Sequence, residues 1–444
     1  MAAEVQQANG PERRKPDQGG FLRHSLMMFL ALRAGDAVSL AAGMWFVPRY
    51  VSPEDIGAVL PVTSFATFLS LPVFALAMAV MRESAVLYAN GDRGRVKSLL
   101  RGVFVAAAAA LALVLCVAAV AVPRYLGLMR VSDASVGFLV VAAAFLGCIA
   151  PVYTDALQSL KRFRSLAVVE VAGSFVRFAT MLVAMPVRAL AGYFAGQAAL
   201  PAFRILGSVV ALRRDLSVGA EPYWNRESTR RLALAFVAIL AYQGVPMAAS
   251  LVEQTVLRTS LFADSAGYYM ASRYSDFLSY LTFPLLLVMF PYTATAAARQ
   301  GSTRPFVLKC SAVTLVAAAA MSAAYALFGT RLLALMPHGE DYAAYASYMP
   351  ALTIAGAMTT CQVFYTNAEV SAGRFGFLLW LVPLHVVYPV ALAAAAKHGY
   401  IGGMSAFVAC LVAASAARFA FSAAMLARDG HEKRRSRNDR ASFC

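Results

Sequence analysis

Runs of about 20 apolar residues follow one another along almost the whole chain, and short polar turns separate them. A helix of this length spans the hydrocarbon core of a bilayer, where only helices and closed barrels satisfy their backbone hydrogen bonds. The sequence therefore predicts an all-α polytopic membrane protein with about 12 transmembrane helices. We expect spans at residues 25–47, 57–81, 99–122, 135–155, 166–186, 188–212, 232–257, 267–293, 306–328, 348–370, 376–396 and 400–427.

The composition supports the same class of protein. Of the 444 residues, 60% are hydrophobic and 14% are charged, and the mean hydropathy of +0.64 excludes a soluble domain. The formal net charge of +16 fits basic loops that face anionic membrane lipids, so we expect no nucleic-acid partner. The six cysteines form no metal motif or disulfide framework, and the polar N-terminal segment does not resemble a cleavable signal peptide.

Lysines and arginines set the predicted orientation. They concentrate in the turns after the even-numbered spans and in both terminal segments, so the positive-inside rule places both termini in the cytoplasm. The longest connection on that side is polar and falls at the midpoint of the chain. We therefore predict a cytoplasmic N-terminal tail at 1–24, an N-lobe of helices 1–6 at 25–212, a cytoplasmic linker at 213–231, a C-lobe of helices 7–12 at 232–427 and a basic cytoplasmic tail at 428–444.

One stretch occurs twice. Residues Thr154 to Phe163 read TDALQSLKRF and residues Thr366 to Phe375 read TNAEVSAGRF, so Thr, Ala, Ser, Arg and Phe recur at the same internal spacing. The sequence RYLGLM at Arg124 to Met129 recurs as RLLALM at Arg331 to Met336, and two weaker matches keep the same order at a similar offset. Four matches in one order at a nearly constant offset indicate an internal duplication.

The duplication predicts how the halves are arranged. Six spans separate equivalent positions, and an even number of spans preserves direction through the membrane. The halves are therefore expected to be parallel repeats of six helices, related by a pseudo-twofold axis along the membrane normal. Two such bundles around a central cavity suit alternating access, and we expect the functional site in that cavity.

Charged side chains within the spans are the candidate site residues. A charge at the bilayer centre costs at least about 2.5 kcal/mol on insertion scales, so such a residue normally faces a cavity or a partner. Guanidinium groups match the oxygens of phosphate or pyrophosphate. The candidate substrate-binding residues are Arg33, Arg177, Arg204, Arg273 and Arg418. The candidate ion-coupling residues are Asp36, Glu170, Glu253 and Asp276.

A second interpretation of these charges stays open. Three pairs of opposite charge each share one helical face and could neutralise themselves within a lobe: Arg33 with Asp36, Glu170 with Arg177, and Arg273 with Asp276. Arg204 and Arg418 have no acidic neighbour in register on their own helices, and Arg418 could instead snorkel towards the cytoplasmic interface. His385 fits a hydrogen-bonded packing role better than a proton relay.

Motifs of enzymes and of ATP-driven pumps do not occur in the sequence. It contains no phosphate-binding glycine loop, metal-ligand cluster or nucleophile triad, and the predicted outer loops are short. We therefore predict no enzymatic activity and no cofactor. A secondary transporter, driven by an ion gradient or by its substrate gradient, is the favoured function.

Four motifs carry a family resemblance. They are Tyr50 to Gly57 (YVSPEDIG) after the first span, Ala156 to Phe163 after the fourth, its counterpart at Ala368 to Phe375, and Asp264 to Tyr269 at the start of the eighth. With them the chain resembles the multidrug, oligosaccharidyl-lipid and polysaccharide exporter superfamily, in its polysaccharide branch of O-antigen-type flippases. The resemblance extends from Phe21 to Arg428.

The resemblance implies a structure, a location and a function. It implies two six-helix bundles in a V shape in the bacterial inner membrane, with Arg33, Asp36 and Arg273 where the family tends to place cavity charges. The implied substrate is a lipid-linked oligosaccharide of the undecaprenyl-diphosphate type, flipped by alternating access for polysaccharide export. Membrane lipids, a coupling H⁺ or Na⁺ and other polysaccharide-assembly proteins are the implied partners.

Four alternatives stay open at this point, one of them a non-transporting scaffold for an envelope-assembly complex. Two belong to the same superfamily: a cation-coupled multidrug exporter, which the excess of arginine disfavours, and a flippase of a lipid-linked peptidoglycan precursor. The fourth is of a different class, a membrane glycosyltransferase or glycan polymerase. The short outer loops disfavour it, because such an enzyme usually needs a substantial external domain.

Overall fold

The computed structural model describes residues 30, 33–35, 37, 38, 40–89, 92–160, 162–213, 219, 221–298, 303–371 and 374–441. Within these residues the chain is almost entirely helical and contains no strand. The predicted tail at 1–24, residues 25–29, 31, 32 and 39 of the first predicted span, and the candidate residue Asp36 lie outside the described residues.

Twelve helices, which we number in the order of the predicted spans, make up the described fold. They are α1 (Val47–Tyr50, continuing a π-helical turn at Ala42–Phe46), α2 (Pro53–Ala89), α3 (Arg93–Leu128), α4 (Ala134–Ser159), α5 (Phe163–Ala184), α6 (Ala189–Leu212), α7 (Arg226–Ser260), α8 (Ser265–Ala298), α9 (Arg304–Ala334), α10 (Met349–Ser371), α11 (Leu378–Lys397) and α12 (Met404–Ala441). A 3₁₀ helix at Gly339–Tyr348 joins α9 to α10. The helices α2 to α12 correspond one to one with the predicted spans.

Several helices continue beyond the apolar stretch that predicted them. Helix α12 runs through the basic segment to Ala441, and α7 begins at Arg226, inside the predicted linker. Asn225 fixes that start. Its side-chain oxygen accepts a hydrogen bond from the backbone N–H of Ser228 at 2.7 Å, and its own backbone N–H donates to the hydroxyl of Ser228 at 3.0 Å. Hydropathy marks only the part of a helix that lies in lipid, which explains the difference.

The protein is a multi-pass membrane protein. Eight of the described helices are long and apolar enough to cross a bilayer, namely α2, α4, α5, α6, α7, α9, α11 and α12, and α3 adds a shorter apolar stretch at Val114–Leu128. Large apolar side chains stay exposed on their outward faces; Val183, Leu327 and Leu379 are each more than 70% exposed. Such faces are stable only against lipid. Helix α10 is more polar, with Thr359, Gln362, Thr366 and Asn367 facing the cavity described below.

The packing of the helices confirms two similar six-helix bundles. In the first bundle α2 packs on α3 and α4, α4 packs on α3 and α6, and α5 packs on α6. The same contacts recur six helices later: α8 packs on α9 and α10, α10 packs on α9 and α12, and α11 packs on α12. Between the bundles, α2 contacts α7 and α8 while α1 contacts α8. Exchanging helix n with helix n+6 therefore leaves this set of contacts unchanged.

Both duplicated motifs adopt matching backbone conformations. In the first copy of the repeated turn the N–H of Arg162 donates to the carbonyl of Leu157 at 2.9 Å, and in the second the N–H of Arg374 donates to Glu369 at 2.9 Å. After the other motif, Arg130 has φ 56°, and His338, one residue past its counterpart Pro337, has φ 55°. The left-handed conformation is uncommon for residues other than glycine, so its recurrence at equivalent helix ends supports the duplication.

One end of the molecule, which we call the far end, carries the turns at residues 129–133 and 261–264, opposite the linker end at residues 221–225. Here the bundles are joined by polar contacts. The hydroxyl of Tyr125 on α3 donates to the carbonyl of Pro61 at 3.2 Å and lies 2.9 Å from the hydroxyl of Thr255 on α7. Its ring stacks on Phe65, with centroids 4.2 Å apart. Tyr125 thus links α3 and α2 of the first bundle to α7 of the second at this end.

Arg258 extends this junction between the bundles. It is 2% exposed; its Nε donates to the carbonyl of Met129 at 3.2 Å and its Nη1 to the hydroxyl of Ser265 at 3.0 Å. A Cβ atom on Gly57 of α2 would lie 2.0 Å from that hydroxyl oxygen. Because only glycine fits there, α2 and α8 approach closely and the far end is closed.

The linker packs against the first bundle at the linker end. The N–H of Glu221 donates to the carbonyl of Gly94 at 3.1 Å, and the indole N–H of Trp224 donates to the carbonyl of Ser98 at 3.2 Å. A Cβ atom on Gly102 would lie 2.2 Å from the Trp224 nitrogen. The glycines of α3 therefore make room for residues 221–225 of the linker, which are held against the first bundle.

Replacing Gly102 with leucine should release the linker, because the new side chain occupies the position of the Trp224 indole. We expect Gly102→Leu to raise the rate of tryptic cleavage between residues 213 and 231 several-fold in the purified, detergent-solubilised protein. Gly127→Leu, also in α3 but with no atom within 4 Å of the added Cβ, is the matched control. Equal cleavage of the two variants would contradict the proposed seating of the linker.

Candidate functional site

A cavity of about 690 Å³ lies in the second bundle, where α7, α10, α11 and α12 meet, with Phe74 of α2 contributing from the first bundle. Its volume is in the range of small-molecule sites. Two residues of opposite charge line it, Glu253 on α7 and Arg418 on α12. Uncharged polar side chains from α7 and α10 complete the polar lining, among them Tyr242, Gln243, Gln362 and Asn367.

A proline and a glycine shape α7 beside this cavity. Pro246 lies in the cavity wall and has no N–H, so it cannot bond the carbonyl of Tyr242 one turn earlier. Gly244 allows close approach to α2, since a Cβ atom there would lie 2.9 Å from a methyl carbon of Leu71. The sequence Gln-Gly-Val-Pro thus both opens the wall of the cavity and packs α7 against the other bundle.

Arg418 is buried in the cavity wall and is 8% exposed. Its Nε donates to the carbonyl of Ala414 at 3.2 Å and its Nη2 to the hydroxyl of Ser415 at 3.4 Å, while its guanidinium lies 5.7 Å from the ring centre of Tyr388. The hydroxyl of Thr359 on α10 in turn donates to Ser415 at 3.4 Å. These contacts hold the guanidinium inside the bundle, so the snorkelling alternative does not describe Arg418.

Glu253 and Arg418 interact electrostatically across the cavity without forming a salt bridge among the described residues. His385, also in the wall, is 2% exposed, and its Nδ1 donates to the carbonyl of Leu381 at 2.9 Å. A carbonyl only accepts, so the proton sits on Nδ1. This bond along its own helix fits the packing role expected for His385.

Glu170 and Arg204 form an ion pair in the first bundle. The carboxylate of Glu170 on α5 lies 2.5 Å from the Nη2 of Arg204 on α6, with side chains 13% and 32% exposed. The sequence placed Glu170 on one face with Arg177 and gave Arg204 no acidic neighbour on its own helix. The partner of Arg204 comes from another helix, which single-helix spacing does not show. Arg177 is half-buried on α5, and its carbonyl lies 3.1 Å from the Cβ position of Gly196.

Arg273 and Asp276 pair on α8 as their three-residue spacing predicts, with an N–O distance of 3.0 Å. The guanidinium of Arg273 also lies 5.0 Å from the ring centre of Tyr269, whose hydroxyl donates to the carbonyl of Gly43 at 3.1 Å. Farther along α8, the carbonyl of Tyr280 accepts a hydrogen bond from Arg33. Arg33 and Arg273 therefore lie where α8 meets the segment that leads into α1.

The structure distributes the five candidate arginines over three places. Arg418 lines the cavity, Arg177 and Arg204 lie in the first bundle, and Arg33 and Arg273 lie at the contact with α8. Of the candidate carboxylates, Glu253 lines the cavity, Glu170 and Asp276 pair with arginine, and Asp36 is outside the described residues.

Sequence analysis missed the uncharged wall of the cavity. Helix α10 presents Thr359, Gln362, Thr366 and Asn367 to it, and the Tyr242 hydroxyl lies 3.3 Å from that of Thr366. The signal was present: Thr359, Gln362 and Thr366 recur at intervals of three and four within an otherwise apolar span, which places them on one helical face with Asn367 beside it. Thr366 and Asn367 also begin the second copy of the duplicated motif.

Neutralising Glu170 should destabilise the first bundle, because it leaves Arg204 half-buried with no carboxylate. We expect Glu170→Gln to lower the free energy of unfolding by about 1–3 kcal/mol, and the double variant Glu170→Gln/Arg204→Gln to recover part of that loss. Thermal unfolding in detergent measures both. Glu340→Gln, at an exposed position, is the control. A double variant less stable than Glu170→Gln would contradict the pairing.

No protein-family model and no curated protein matches the chain. Solved structures do match its fold. An inward-facing multidrug resistance MATE family transporter of the MOP superfamily aligns with a TM-score of 0.66 at 13% identity, covering 91% of this chain and 98% of that one. An outward-facing MATE transporter gives a TM-score of 0.61 at 14% identity, covering 92% and 95%.

A MOP superfamily transporter from Pyrococcus furiosus, described as having a binding pocket of reversed polarity that suggests a different function, gives a TM-score of 0.61 at 14% identity over 91% and 96% of the two chains. At these identities the likeness shows the fold alone. The chain has the twelve-helix, two-bundle fold of MATE transporters.

Proposed function

We propose that this protein is a secondary transporter that works by alternating access. The observation that carries the proposal is a polar cavity within a fold whose two bundles are joined across the far end. The cavity extends from Glu253 towards Thr366 and Asn367 near the linker end of α10, while Arg258 and Tyr125 hold the bundles together at the far end.

For the substrate, we propose amphipathic organic solutes, exported by a cation-coupled multidrug exporter of the superfamily. The matching MATE structures are described as multidrug resistance transporters, which favours this alternative over the flippase that the sequence motifs suggested. The ion pairing of Arg204 and Arg273 points the same way, since it leaves them less positive charge with which to hold a diphosphate.

Glu253 is the proposed coupling residue. Among the candidate carboxylates it is the one in the cavity wall, and no salt bridge occupies it in the described structure. A carboxylate in such a position can take up H⁺ or Na⁺ and release it when the bundles move. Asp36, Glu170 and Asp276 remain the other proposed ion-coupling residues.

A lipid-linked oligosaccharide flippase is the second candidate. The uncharged wall of the cavity favours it, because the amides of Gln243, Gln362 and Asn367 and the hydroxyl of Tyr242 are groups that bind sugar hydroxyls. In this case the proposed contacts of the diphosphate are the five candidate arginines, Arg33, Arg177, Arg204, Arg273 and Arg418. The bacterial inner membrane, cytoplasmic termini and the division into two lobes at 213–231 belong to both proposals.

Glu253→Gln should abolish cation-driven transport while leaving the fold intact, because glutamine has nearly the same shape but cannot ionise. We expect at least about a tenfold loss of gradient-driven uptake of a fluorescent organic dye into proteoliposomes. Glu340→Gln is the control. Unchanged uptake by Glu253→Gln would remove this residue from the coupling site. Flipping of a fluorescent lipid-diphosphate oligosaccharide, with no dye uptake, would select the second candidate.

A disulfide across the far end should block transport. The Cβ position of Gly57 and the Cβ of Ser265 are 2.9 Å apart, so α2 and α8 must separate by about 1 Å to reach the Cβ–Cβ distance of a disulfide. We expect oxidation of Gly57→Cys/Ser265→Cys, with exposed Cys116 and Cys410 replaced by alanine, to stop uptake and a reductant to restore it. The control pair Met181→Cys/Gly196→Cys lies within the first bundle. Undiminished uptake by the oxidised far-end pair would contradict alternating access through this end.

A further inference from the structure

The cavity of the second bundle holds two opposite charges that do not touch. Arg418 uses its Nε and Nη2 to contact Ala414 and Ser415, and its Nη1 donates to no protein atom in the described structure. Glu253 faces the same cavity from α7, interacts with the hydroxyl of Tyr388 and is in no ion pair among the described residues. The Nη1 of Arg418 and the lone pairs of Glu253 that Tyr388 does not use therefore stay available to a ligand.

The described lining of the cavity carries one negative and one positive formal charge, which sum to zero. Glu253 and Arg418 cancel, and the ring of His385 donates its Nδ1 proton to Leu381. A cationic ligand that bonds Glu253 would also lie near Arg418, and an anionic ligand on Arg418 would lie near Glu253. Each would add net charge to a site inside the membrane, where an uncompensated charge costs at least about 2.5 kcal/mol.

Gln362 gives an independent indication of a ligand. Its side chain is 96% buried, with 4% relative exposure, and lines the cavity, yet its Oε1 accepts no hydrogen bond in the described structure. A buried amide oxygen without a partner has lost its hydrogen bond to water, and a donor on a bound ligand restores that bond. The cavity therefore presents a carboxylate, a guanidinium and an unused amide oxygen to one ligand: Glu253, Arg418 and Gln362.

We propose that this cavity selects zwitterionic ligands, with the cationic group at Glu253, the anionic group at Arg418 and a donor at Gln362. The inference rests on the proposed transport function and names the charge class of its substrate. A dipolar ligand satisfies both buried charges while adding no net charge. A dianionic lipid diphosphate does not meet this condition.

Tryptophan and three of its derivatives test the charge preference, because all four share the indole side chain and differ mainly in the charges of the amino and carboxyl groups. They are tryptophan (zwitterion), tryptophan methyl ester (cation), N-acetyltryptophan (anion) and N-acetyltryptophan amide (uncharged). Binding to the full-length protein in nanodiscs is measured by calorimetry, which needs no turnover. We expect tryptophan to bind about tenfold or more tighter than the ester or the N-acetyl acid.

Two cavity variants should shift that preference in opposite directions. Glu253→Gln leaves a net positive lining and should favour N-acetyltryptophan over tryptophan, while Arg418→Gln leaves a net negative lining and should favour the methyl ester. Gln362→Leu should weaken tryptophan binding several-fold without changing the order of preference. Glu340→Gln and Arg331→Gln, both at exposed positions, are the matched controls, and a monodisperse elution profile confirms folding of each variant.

The outcomes separate this inference from the transport proposal. Tighter binding of the ester or the N-acetyl acid to the wild-type protein overturns it, as does binding of none of the four probes. An unshifted preference in two folded charge variants overturns it as well. If gradient-driven uptake still depends on Glu253 in any of these cases, the transport proposal stands alone. If uptake is absent while tryptophan binds with the expected preference, the transport proposal fails and the ligand class stands.

Discussion

The constraint on which this structure depends is the high free energy of a charge inside a bilayer. Several charged side chains within the described spans have partners that offset this free energy. Glu170 and Arg204 pair between α5 and α6, Arg273 and Asp276 pair along α8, and Arg258 is wedged between the bundles with carbonyl and hydroxyl acceptors. Glu253 and Arg418 differ, because they meet across a cavity without closing a salt bridge. Stability explains the pairs, whereas the open arrangement needs a functional reason.

The two ends of the interface between the bundles are built differently. At the far end the contacts are polar and close, with glycine at the point of nearest approach. Towards the linker end, α2 and α7 meet through apolar side chains, including Val80 and Leu232, supplemented by an ion pair between Glu83 and Arg231 at 3.4 Å. Polar contacts of fixed geometry define a closed state, while apolar surfaces tolerate sliding. The interface thus has polar contacts of fixed geometry at the far end and an apolar surface that tolerates sliding towards the linker end.

Much of the fold could be predicted from the sequence, because a helix that is surrounded by lipid must be apolar along the length that lies in the bilayer. The spans, their number and the duplication follow from apolar length and from the repeat at Thr154 and Thr366. The site was less accessible. Arg273 and Asp276 pair within one helix and their spacing indicated it, but the partner of Arg204 lies on another helix, and spacing says nothing about that. The uncharged wall of α10 was missed because charge, and not amide or hydroxyl groups, guided the choice of candidates.

The exchange relation among the helix contacts has an evolutionary consequence. Helices α1 and α2 contact α8 and α7 of the opposite bundle, so the first two helices of each bundle form the interface between the bundles. An interface that is unchanged when its halves are exchanged is isologous, the type found in twofold homodimers. Two copies of one six-helix chain could make all of these contacts. Fusion of such a pair would free each half to diverge, and the confinement of this cavity to the second bundle is what that divergence would produce.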